Sequence, residues 1–165
     1  MHPLQRKLRG VSTSAIVALM LVAVPLSAQN PKTQLTLGGA AVTFPAPTAT
    51  DYVNGYVYST TGVTYTVNGT NGTQSHTTTI SIRATSANLG GSKALGDLEW
   101  RRSDLAGWSA ITSTDAQVEQ KVMIRGQLND PWGNTVFFRM KLSWTADPPA
   151  TYSANYQITL SQTVP

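Results

Sequence analysis

The sequence predicts an all-β fold, an immunoglobulin-like antiparallel β-sandwich of about seven or eight strands. Three observations carry this. Apolar residues recur at every second position, the period of a strand with one face in a core and the other in water. The chain is rich in Thr, Ser, Val and Gly and carries six Tyr, residues that suit pleated surfaces and turns. Clusters of Gly, Pro, Asn and Asp interrupt the alternating runs at short intervals, and no helical stripe of apolar residues stands out beyond residue 28.

The first segment is of another kind. Arg6, Lys7 and Arg9 precede an apolar run from Ala15 to Leu26, broken only by Pro25, and Ser27-Ala28 follow. This is the three-part form of a secretory signal peptide cleaved after Ala28. The run is too short for the roughly 20 apolar residues of a membrane span. The expected organisation is a signal peptide at 1–28 and a single sandwich domain at 29–165, with no membrane span after cleavage and an extracytoplasmic location, periplasm or cell surface. With no cysteine to acylate, lipoprotein anchoring is excluded.

The strands are read in order. Gln34 to Phe44 alternates with a Gly38-Gly39 interruption that suggests a bulge, and Val53 to Tyr58 and Val63 to Val67 follow. Asn68-Gly69-Thr70-Asn71-Gly72 is a strong turn signal, after which Ile80 and Ile82 share a phase in Thr77 to Ala84. Leu98 and Trp100 mark a further strand, and Ser103 to Gln117 reads as an irregular crossover. Val118, Val122, Ile124 and Leu128 are placed on one face of the next strand, and Val136, Phe138, Met140, Leu142 and Trp144 on one face of the one after. The Asn129-to-Asn134 segment between them reads as a hairpin loop. Asp147-Pro148-Pro149 leads to a last strand with Tyr152, Ala154, Tyr156, Ile158, Leu160 and Val164 in phase, where only Gln162 breaks the pattern.

Charge narrows the partners. Of twelve basic residues three leave with the signal, and the remaining nine nearly balance eight acidic ones. They are scattered, and the adjacent Arg101-Arg102 point to opposite faces of a strand, so no nucleic-acid footprint is expected. Zero cysteines exclude disulfides, thiolate metal sites and a cysteine nucleophile.

Catalytic sets are hard to assemble. His76 is the only histidine after the signal, stands among threonines without a nucleophile motif, and reads as an exposed strand-end residue. Asp97, Glu99, Asp104, Asp115 and Asp130 are the oxygen ligands on offer for calcium, with Asp97, Glu99 and Asp104 as carboxylates for glycoside hydrolysis. Their spacing fits no EF-hand, so no metal, no cofactor and no enzymatic activity is expected. Aromatic residues remain. Trp100, Trp144, Tyr152 and Tyr156 fall in phase with apolar neighbours and are assigned to the core. Trp108, Trp132 and Phe137 are the candidates for exposure, and Trp108 and Trp132 are the ligand-binding candidates.

The segment Trp144-Thr-Ala-Asp-Pro-Pro-Ala-Thr-Tyr152-Ser-Ala-Asn-Tyr156-Gln-Ile-Thr-Leu160-Ser resembles the closing strands of bacterial surface β-sandwiches. It is similar to the WxL-type cell-surface domains and to the spore coat protein U group related to pilus subunits. None of the four tryptophans is followed by x-Leu, so the resemblance implies fold and compartment rather than a binding site. The resulting expectation is an exported structural or adhesive module acting through sheet edges, with other surface proteins or cell-envelope polysaccharide as partners. A carbohydrate- or ligand-binding module using the loop tryptophans is the alternative. The Thr33 to Phe44 segment is either a strand of its own domain or a donor to a neighbour's sheet.

Overall fold

The computed structural model describes residues 33–39, 42–68, 75–90, 93–124, 131–147 and 152–164. The expected signal peptide, Asp130, Leu128, Gly69 to Gly72 and Pro148-Pro149 lie outside them. The described residues form nine strands: β1 (Gln34–Gly38), β2 (Tyr56–Tyr58), β3 (Val63–Asn68), β4 (His76–Ala84), β5 (Leu98–Arg102), β6 (Ser109–Ala110), β7 (Ala116–Met123), β8 (Trp132–Lys141) and β9 (Tyr156–Thr163). The larger sheet has the order β1-β3-β8-β5-β6, with β2 also on β8, and the smaller one is β7-β4-β9. All pairings are antiparallel.

The alternation read from sequence packs the two sheets face to face. Val63, Tyr65 and Val67 of β3, Ile80 and Ile82 of β4, Val136, Phe138 and Met140 of β8, and Ile158 of β9 form one buried cluster. Burying each such side chain contributes about 1.5–3 kcal/mol. Between the sheets Tyr65 donates its hydroxyl to Glu119 Oε2, and the Arg102 guanidinium reaches the Val118 carbonyl at 3.1 Å. The Tyr65 hydroxyl is pushed far above its ordinary range, by burial first and by the Glu119 carboxylate second.

β2 and β3 form one interrupted strand along β8. Tyr58 faces Arg139 and Val63 faces Val136, so the chain inserts extra residues there and bulges outward. β1 pairs with β3, which places Gln34 to Gly38 of the Thr33-to-Phe44 segment in this chain's own sheet. The Gly38-Gly39 interruption ends that strand instead of bulging it, with Gly39 at φ +68° in the left-handed region.

Several expectations are corrected. β7 and β8 belong to different sheets, so the segment between them crosses from sheet to sheet and is not a hairpin loop. On β7, Val118 is buried, but Val122 and Ile124 are exposed and Met123 is buried instead. The cause is a register shift opposite Ile80 and Ser81, whose partners are Glu119 and Gln117; Val118 is the extra residue and reverses the phase beyond it. Trp144 is 63% exposed, because β8 ends at Lys141 and the chain turns before reaching it. Trp132 is only 8% exposed, since it opens β8 in phase with Val136. His76 is 5% exposed, its Nε2 3.1 Å from Thr33 Oγ1 and 3.3 Å from the Gln162 amide nitrogen, so it joins the ends of β1, β4 and β9. That contact also accounts for a glutamine at a core-facing position of β9.

The strand read over Val53 to Tyr58 begins only at Tyr56, because Val53 and Asn54 belong to a short helix, α1 (Ala49–Asn54). Thr48 caps it: the Asp51 N–H donates to Thr48 Oγ1, the Thr48 N–H donates to Asp51 Oδ2 at 2.8 Å, and Gly55 ends it at φ 77°.

At Gly133 of β8 a β-carbon would run into the Tyr65 carbonyl oxygen and the Thr66 backbone of β3. Gly133→Ala is expected to destabilise the fold by about 1–3 kcal/mol through overpacking against a backbone that cannot yield. Urea unfolding measures this; a midpoint unchanged from the parent would show that β3 and β8 separate freely there.

Candidate functional site

The outward face of the larger sheet gathers the side chains that alternation sends away from the core. From β2 come Tyr56 and Tyr58, from β8 Phe137, Arg139 and Lys141, and from β5 Glu99 and Arg101, because Val57, Phe138, Met140, Leu98 and Trp100 take the inner positions. The register sets Tyr58 beside Arg139, Arg139 beside Glu99, and Phe137 beside Arg101. Gly62 leaves room for the Phe137 ring, which a β-carbon there would strike at 2.9 Å.

Trp108, half-buried in the loop between β5 and β6, lies over this face. The Arg139 and Arg101 guanidinium carbons are 4.6 and 4.9 Å from its ring centre, and the Tyr58 ring is 5.9 Å away. Arg139 also stacks over Tyr56 at 3.9 Å. Its Nε donates to Glu99 Oε2 at 2.6 Å, while Lys141 Nζ is 3.1 Å from Glu99 Oε1. Burial would raise the Glu99 carboxyl, but the hydrogen bonds from Arg139 and Lys141 outweigh it and hold the group below the usual carboxylate range.

Arg101 differs from its neighbour. Arg102 points between the sheets and pairs with Asp104 at 2.6 Å and Glu119 at 3.7 Å, as opposite faces of a strand require. Arg101 has no carboxylate within ion-pair distance among the described residues; its Nη1 donates to the Leu105 carbonyl at 3.1 Å. Trp108 is thus a sequence-predicted candidate that the fold places among convergent groups. Trp132 is not with it: it sits in the other direction, under Lys121 at 5.7 Å, with its indole mostly buried. Sequence reasoning missed Arg101, Arg139, Tyr56 and Tyr58 as members of one cluster.

A second feature is a cavity of about 370 Å³ between the sheets, lined by Phe44, Leu89, Leu98, Phe138, Met140 and Tyr156 among others. Beside it the buried Lys93 ammonium lies 2.8 Å from Asp147 and 3.0 Å from Asp97. The four described carboxylates weighed for calcium or hydrolysis do not converge: Asp97 pairs with Lys93, Glu99 with Arg139 and Lys141, Asp104 with Arg102, and Asp115 with Arg83. Among the described residues no three His, Cys, Asp or Glu groups are placed to hold a metal ion, and no helix is long and apolar enough to cross a membrane. Compared with protein-family models, with curated proteins and with solved structures, the chain matches none.

Proposed function

We propose that this chain is an exported, non-catalytic structural or adhesive module of the cell surface or periplasm that associates through an open sheet edge. The observation that carries the reading is β9. Among the described residues it is an edge strand of eight residues in a three-stranded sheet, and from Pro148 to Pro165 the sequence contains no charged residue. Sheet edges are ordinarily blunted by charge, proline, bulges or shortness. The other edges show such devices: β6 has two residues, β7 carries a bulge with Glu119 and Lys121, and β1 stops at glycines. β9 has none within its eight residues, and an added strand would find a row of unpaired backbone groups. Export rests on the Arg6-to-Ala28 segment, and the likeness of the C-terminal strand to surface sandwiches agrees with the compartment.

Fractionation of native cells followed by light scattering tests this. The protein is expected in surface-attached material as a multimer, and Ser161→Lys with Thr163→Lys, both exposed on β9, is expected to release monomer with the unfolding midpoint unchanged. A strictly monomeric native protein, or multimers indifferent to the two lysines, would overturn the reading.

A further inference from the structure

We infer that the outward face of the larger sheet is a binding site for a carboxylated polysaccharide, with Arg101 as the group that takes the carboxylate. Arg101 is laid on the Trp108 ring and anchored by one hydrogen bond to Leu105, while its Nε is buried with no acceptor among the described residues. A guanidinium packed over an indole and tied to a backbone carbonyl is ordered in part before any ligand arrives, and its remaining Nη N–H groups belong to a planar fork. Arg83, Arg102 and Arg139 each have a carboxylate partner within this chain. Of these four arginines Arg101 is the one without a carboxylate partner among the described residues, and a bidentate carboxylate is the ligand that matches a guanidinium fork.

The surroundings select a glycan. Tyr58, 52% exposed, stands beside the half-buried Phe137 and Trp108, so the guanidinium is flanked by aromatic surface of the kind that packs against the C–H faces of sugar rings. Glu99 is the one acidic group on this patch and is satisfied twice over, by Arg139 and Lys141, leaving the patch net positive. The surface is a sheet face, on which the backbone groups of β2, β8 and β5 are engaged in their own ladder. An acidic peptide would find no free backbone to pair with there, whereas a rigid sugar chain needs only ring faces and a carboxylate anchor.

Affinity electrophoresis of the purified protein through gels containing polygalacturonate, neutral dextran, dextran sulfate or polyglutamate tests the assignment. Polygalacturonate is expected to retard the protein, dextran to leave it unaffected, and the other two polyanions to act at least tenfold more weakly. Arg101→Gln and Tyr58→Ala are each expected to weaken the polygalacturonate effect about tenfold or more, with unchanged unfolding midpoints. No retardation by polygalacturonate, or retardation that survives Arg101→Gln, overturns the site. Equal retardation by dextran sulfate or polyglutamate would show that the face responds to charge alone and would overturn the glycan assignment.

Discussion

Replacing Lys93 with methionine is expected to cost about 3–5 kcal/mol, because it leaves the Asp147 carboxylate buried without its cation. The Lys93 side chain is 1% and the Asp147 side chain 7% exposed, with 2.8 Å between Nζ and Oδ2. The same Oδ2 accepts the Ser143 N–H at 2.8 Å, and the Asp147 N–H donates to the Ser143 carbonyl at 3.0 Å, so the carboxylate is built into the turn that follows β8. Tyr52 of α1 donates its hydroxyl to the Asp147 carbonyl at 3.1 Å, and Lys93 itself lies in the connection from β4 to β5. One ion pair therefore ties together three connections at one end of the sandwich. Asp97, 34% exposed, loses little when the lysine goes, since water can take its place. Asp147 cannot be hydrated without opening the turn. The double variant Lys93→Met with Asp147→Asn removes both charges and is expected to regain most of the loss, which a double-mutant cycle of urea unfolding measures. A Lys93→Met protein within about 1 kcal/mol of the parent would mean that the turn opens to solvent at little cost.

That pair was not legible in the sequence, and the reason is physical. Alternation reports which face of a strand a residue takes, so Ile80, Ile82, Phe138, Met140 and Ile158 were placed correctly from parity alone. The same parity carried signals that went unused. His76 shares the phase of Ile80 and Ile82, and Trp132 that of Val136, and both are buried. Trp144 shares the phase of Phe138 yet is exposed, because parity says nothing about where a strand stops. The bulge at Val118 reverses the faces taken by Val122 and Met123, and no local signal distinguishes the bulged sequence from a regular one. The turn residues between β7 and β8 predict a reversal but not whether the chain comes back in the same sheet. For the candidate site, Trp108 was legible as a loop aromatic. Its partners come from β2, β5 and β8, whose adjacency depends on a strand order that only the folded chain displays.

Arg139 is the position where stability and the candidate site meet, and Arg139→Ala is expected to cost about 3 kcal/mol, the low end for breaking a buried pair. The guanidinium holds three groups at once: it stacks on Tyr56 and Trp108 and donates to Glu99, which is 7% exposed. Lys141 remains 3.1 Å from the other Glu99 oxygen, which keeps the loss from being larger. Arg139→Lys retains the charge but loses the planar fork and the stacking, and is expected to recover only part of the stability. The pH dependence separates the ionic share from the packing share. The folded Glu99 carboxyl titrates below its unfolded range, so in the interval between the two the unfolded chain binds a proton that the folded chain does not. The stabilisation is therefore fully present above the ordinary Glu value of about 4.3 and is lost as the pH falls through the lower, folded value. Without Arg139 the folded carboxyl rises as burial takes over, the two values approach, and unfolding midpoints recorded from about pH 7 to pH 3 should fall less steeply than in the parent. Parallel acid limbs in the two proteins would show that Lys141 alone holds the charge and that Arg139 acts through its stacking on Tyr56 and Trp108.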